Sequence, residues 1–159
     1  MRRSLPALAS VLLLCCVRLS ALSRADFDRV VDFSVTLKNL AAVAEGRERL
    51  PAGKTIMLSG TVSDVNILSK EEATFKVRIE LITGEWIGVE DVKSYACYIE
   101  FSGPEWFKIF PARAPRTPPP GVVSLNSRVI VVGSASELVS TPAGEKRVLV
   151  QGMHIRMVE

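Results

Sequence analysis

Cysteine is scarce in this chain. There are three, and two of them, Cys15 and Cys16, sit side by side near the start, so Cys97 stands alone beyond residue 23. A single thiol forms no intrachain disulfide and no Cys-rich zinc site. The chain holds one histidine, His154, which leaves no second imidazole for a metal cluster. There is no Gly-x-Ser-x-Gly elbow. "PAGKT" (Pro51–Thr55) ends like a phosphate loop, yet it lacks the leading glycine and runs into a strand pattern rather than a helix. Carboxylates are scattered, with no pair that divides acid and base roles. The expectation is a protein without a cofactor, without a metal and without catalytic machinery.

The apolar residues at the start have a different meaning. Arg2 and Arg3 precede an apolar run from Leu5 to Val17, and small residues follow, with Ala21 and Ser23 at the −3 and −1 positions of a cleavage site. Charged start, apolar middle and small-residue end are the order of a secretory signal peptide. The run is shorter than the roughly 20 apolar residues that cross a bilayer. Residues 1–23 are therefore expected to be a signal peptide, and the rest of the chain to be periplasmic or secreted. A second reading makes a lipoprotein: Leu12 and Leu13 stand three before Cys15 and Cys16, as in a lipobox, although Leu14 or Cys15 occupies the place usually held by Gly, Ala or Ser.

Removal of that leader cancels the charge. The whole chain carries 20 basic and 17 acidic residues; Arg2, Arg3 and Arg18 fall in the leader and no acid does, leaving 17 of each from Arg24 onward. A nucleic-acid binder ordinarily shows a basic excess. None remains in bulk.

Asp26 to Leu50 fits two patterns. Val30, Phe33, Leu37, Leu40 and Ala44 have helical spacing, whereas Val31, Phe33, Val35 and Leu37 alternate as in a strand. The Ala-rich run before Gly46 favours a helix, so residues 24–53 are expected to form a helical lead-in. From Lys54 the pattern is β. Ile56, Leu58, Gly60 and Val62 alternate with polar or small residues, and Gly60 suggests a bend. Phe75, Val77, Ile79 and Leu81 alternate with Lys76, Arg78 and Glu80; Tyr95, Cys97, Ile99 and Phe101 alternate with Ala96, Tyr98 and Glu100. "GPEWFKIF" (Gly103–Phe110) reads as a short helix with Pro104 in its first turn. The Pro-rich stretch Pro111–Gly121 cannot join a sheet interior. Two further strands surround "RVIVVG" (Arg128–Gly133) and "RVLVQGMHI" (Arg147–Ile155). Strand, strand, strand, short helix, strand, strand is the order of an all-β, five-stranded OB-like barrel over residues 54–159.

The residues "MLSGTVSDV", "SYACYIEF", "NSRVIVVGSAS" and "KRVLVQGMHI" resemble the first, third, fourth and fifth strands of bacterial OB-fold proteins of the tRNA_anti-like type. The resemblance spans about Lys54 to Val158, and departs from the pattern in the long connection that follows the third strand. It implies a fold and a habit of binding, and it names no ligand.

An OB barrel ordinarily meets its ligand on strands two and three. The outward residues there are Lys76, Arg78, Glu80, Ala96, Tyr98 and Glu100. Lys76, Arg78, Trp86 and Tyr98 are the candidate ligand contacts, by stacking and by charge; the competing expectation is a solvated face laced by Lys/Arg–Glu pairs. Trp106 is expected to close one end of the barrel. Arg113, Pro115, Arg116 and Pro118 form a candidate partner-docking segment with polyproline character. Export and charge balance together lead to an exported binding or structural module engaging a protein or envelope partner, with nucleic acid not expected. The alternative is an OB domain that binds single-stranded nucleic acid or an oligosaccharide through the strand 2–3 face.

Overall fold

The computed structural model describes residues 27, 29–112 and 119–158. The leader with Cys15 and Cys16, and the docking candidates Arg113, Pro115, Arg116 and Pro118, lie outside the described residues. In chain order the elements are β1 (Val31–Asp32), α1 (Leu37–Ala44), β2 (Thr55–Ser69), β3 (Lys76–Ile87), β4 (Asp91–Ser102), β5 (Arg128–Ser140) and β6 (Lys146–Met157). Strands β2 to β6 close into a ring: β2 pairs with β3, β3 with β4, β4 with β6, β6 with β5, and β5 with β2. This is the OB-like barrel expected from the strand order.

Closure depends on β2 serving two neighbours. Thr55–Thr61 lies against β5, and Thr61–Ser69 against β3. Gly60 sits at the handover. A Cβ there would lie 2.6 Å from the Ile82 carbonyl oxygen and 2.9 Å from Leu81 Cγ, so only glycine lets the strands approach this closely.

The interior is filled from alternating positions. Phe75, Val77, Ile79 and Leu81 meet Tyr95, Cys97, Ile99 and Phe101 across the β3–β4 register, with Val129, Val131, Val148 and Val150 from the far side. The apolar residues of β6 change phase along the strand because of a bulge: Val132 pairs with His154 and Gly133 with Gly152, which leaves Met153 unpaired and turns Ile155 inward opposite Val131.

Each mouth of the barrel has a plug. At one, Leu37, Leu40 and Val43 of α1 enter the core. Thr36 caps this helix reciprocally with Asn39, and Gly46 follows its end at φ 76°. The ambiguous segment thus contains both a two-residue strand and a helix that begins at Leu37. At the other mouth the expected short helix is present as a 3-10 helix, Pro104–Trp106. It delivers Trp106 and Phe110 onto Phe101, with ring centroids 4.4 and 5.5 Å apart. Trp106 is buried, as its place at a barrel end requires.

Gly152 faces this aromatic plug. A Cβ there would lie 2.2 Å from the Phe101 ring. Gly152→Ala is expected to lower stability by about 1–3 kcal/mol through overpacking, read as a lower urea midpoint with an unchanged slope.

Candidate functional site

Strands β3 and β4 form one long antiparallel ladder that outruns the barrel. Its outward positions follow from the two-residue period. In register they are Arg78 with Glu100, Glu80 with Tyr98, Ile82 with Ala96, Gly84 with Ser94, and Trp86 with Val92. Tyr98 and Trp86 therefore stand on one face, about 20 Å apart at ~3.3 Å per residue. Ile82, Ala96, Ser94 and Gly84 lie between them, three of the four small.

The two aromatic positions differ. Tyr98 is half-buried, with the Arg78 guanidinium 5.7 Å from its ring centre. Trp86 is 72% exposed beside the hairpin tip, near Ile87, Val89 and Val92, which are also exposed. The arm does not swing freely. On its other face Glu85 accepts hydrogen bonds from Lys38 Nζ at 2.8 Å and from the Tyr95 hydroxyl at 2.9 Å, which ties the arm to α1. Those two bonds hold the Glu85 carboxyl below the usual carboxylate range.

Lys76 and Arg78 are on the expected face, but they are not open to a ligand. Both are held by Glu100, which is only 4% exposed although it points outward. Lys76 Nζ lies 2.7 Å from Oε1 and Arg78 Nη2 lies 3.0 Å from Oε2. Burial pushes the Glu100 pKa up, and the hydrogen bonds and charges of Lys76 and Arg78 more than offset this, leaving it below its ordinary value. Arg78 grips Glu100 through a terminal nitrogen, and its Nε is buried without a partner.

A groove opens where β4 and β6 part. Their parallel pairing covers Tyr98–Glu100 against Leu149–Gln151. Before it, Lys93–Ala96 faces Glu145, Lys146 and Arg147, with Ala41, Ala44 and Glu45 of α1 at one side. Arg147 pairs with Glu145 at 2.6 Å, and its Nε is also buried without a partner. Lys93 sits 5.6 Å from the Tyr95 ring centre. Sequence reasoning missed the meeting of Lys93 with Lys146 and Arg147 across this groove. The signal available was their flanking of the β3–β4 tip and the β5–β6 loop, since OB ligands lie beside the loop between the last two strands.

Cys97 points into the barrel, and burial above all, with the Glu80 charge, pushes its thiol well above the ordinary range. Among the described residues no group of His, Cys, Asp and Glu is arranged to hold a metal.

No protein-family model matches the sequence, and no curated relative does. Solved structures do match. The N-terminal domain of PriB from Thermoanaerobacter tencongensis, described as dimeric, aligns at a TM-score of 0.40 and 15% identity over 66% of this chain and 96% of its own. The Plasmodium falciparum SSB, in complex with ssDNA, aligns at a TM-score of 0.45 and 15% identity over 66% of this chain and 94% of its own. The barrel is an OB-fold. The expectation of an envelope protein partner, with nucleic acid set aside, is corrected by these matches, one of which holds ssDNA. That expectation rested on the export reading of residues 1–23 and on bulk charge, neither of which says where aromatic residues lie on the barrel.

The Glu100 pairing has a pH consequence. A carboxylate whose folded pKa is depressed adds stability above its unfolded value of about 4.3, and that stability is lost as pH falls through the folded pKa. Urea midpoints measured from pH 7 down to pH 3 are expected to fall in the wild type. Glu100→Gln should start lower at pH 7 and fall less.

Proposed function

We propose that this chain is a non-enzymatic OB module that binds a single strand of nucleic acid along the outward face of β3 and β4. One observation carries the reading: Tyr98 and Trp86 share that face in register, separated by Ile82 and by the small residues Ala96, Ser94 and Gly84. Unpaired bases stack on such aromatic posts without regard to sequence. The adjoining groove holds Lys93 and Lys146 beside the Arg147–Glu145 pair and Glu45, so the net charge it offers phosphates is small. With Lys76 and Arg78 held by Glu100, stacking provides most of the affinity and the salt dependence is shallow.

The leader-like residues 1–23 and the tRNA_anti-like resemblance belong to the same proposal. The working module is the charge-balanced chain from Arg24 onward, exported from the cytoplasm of a bacterium. Sequencing the mature N-terminus of the native protein checks this, with Arg24 expected as the first residue and an intact Met1 start counting against it.

Binding is tested with a fluorescein-labelled 20-nucleotide oligo(dT). The chain has two tryptophans and Trp106 is buried, so quenching of intrinsic fluorescence reports chiefly on Trp86. Trp86→Ala and Tyr98→Ala are each expected to weaken binding by about 5- to 150-fold, corresponding to about 1–3 kcal/mol per stacked base. No binding at tens of micromolar protein in physiological salt, or binding indifferent to both substitutions, would overturn the reading.

A further inference from the structure

Glu100 stands out on the β3–β4 face. It lies on an outward strand position in the middle of a proposed polyanion interface, yet it is nearly inaccessible and carries a negative charge. Both cations that could face a phosphate there, Lys76 and Arg78, have turned onto it, one to each carboxylate oxygen. Lys76 comes from the same register level as Ser102 and Arg78 from directly opposite Glu100, so one carboxylate spans two rungs of the ladder.

The arrangement is not a fully satisfied structural pair. Arg78 makes its contact through a single terminal nitrogen, not as a two-pronged fork, and its buried Nε has no acceptor. That buried nitrogen is out of reach of a ligand, but 31% of the Arg78 side chain is exposed, so the guanidinium itself can still meet a phosphate. Lys76 keeps much of its side chain in solvent. A carboxylate in this place does what a bound phosphate would do, and occupies the same donors.

We propose that Glu100 is an internal competitor for phosphate that sets the affinity and the salt dependence of the β3–β4 face. Its carboxylate neutralises Lys76 and Arg78, so the wild-type face holds a strand mainly by stacking and releases it readily. Loss of that charge frees two cations and turns the face into a tighter, steeply salt-dependent phosphate site. The inference extends the single-strand reading given above, but the competition it describes applies to any polyanion.

Two probes separate the inference from that reading: the labelled oligo(dT), and inorganic polyphosphate, which has no bases to stack. Glu100→Gln is expected to bind both more tightly, by about tenfold at low salt. Each freed cation should steepen the dependence of log K on log salt by about 0.7, hence about 1.4 for the two. Lys76→Gln should change little in the wild-type background and remove about half of the added slope in the Glu100→Gln background. Glu100→Thr, short and suited to a strand, should behave as Glu100→Gln does. A folded Glu100→Gln with unchanged slopes overturns the inference, as does a Lys76→Gln that already flattens the wild-type slope. Failure of both Glu100 variants to melt cooperatively overturns it too, because a competitor is dispensable to the fold. If oligo(dT) binds neither protein, the single-strand reading falls, and polyphosphate still decides the role of Glu100.

Discussion

Everything in this molecule depends on one strand belonging to two neighbours. β2 gives its first half to β5 and its second half to β3, and the change of partner takes place at Gly60, where a side chain would strike the Ile82 carbonyl and the Leu81 side chain. With that close approach the sheet closes on itself and its central strands have no free edge. β3 and β4 run on past the barrel as an arm. The arm carries Trp86 outward, and the barrel wall carries Tyr98.

The face has two layers of electrostatics. One is the ladder itself, where Glu100 draws Lys76 and Arg78 inward. The other is the rim, where Lys93, Lys146 and Arg147 gather from β4 and from the start of β6. The small overall charge, 20 basic against 17 acidic residues, averages these layers and conceals both. The aromatic positions are independent of them, since a ring face offers stacking area at any charge balance. Bulk charge thus bears on the salt dependence of the proposed binding and not on whether a ring stands exposed.

Much of the site could be read in advance, and what was missing has a common cause. Lys76, Arg78 and Tyr98 alternate with core residues over a short span, so their shared outward face follows from the strand period. Trp86 shares the parity of Lys76 and Arg78, and the register with Val92 confirms its side of the arm. Arg147 lies 49 residues after Tyr98 in the chain, and only the parallel β4–β6 contact brings its neighbourhood alongside. The capture of Lys76 by Glu100 likewise depends on cross-strand register, which a one-residue slip would abolish.

Local sequence suffices for the alternation that builds five strands, the glycine where the first of them bends, the aromatic cluster after the third, and the inward Cys97 thiol. These are local: each follows from the period of the backbone or the shape of one side chain. Only the tertiary structure decided that Asp26–Leu50 holds both a strand and a helix, that the third-strand connection plugs the barrel with a 3-10 turn, and that a bulge at Met153 rephases the last strand. It also decided which charges are available to a ligand. That question turns on which carboxylate reaches which cation across the register, and pairing between strands is a property of the closed barrel rather than of any segment within it.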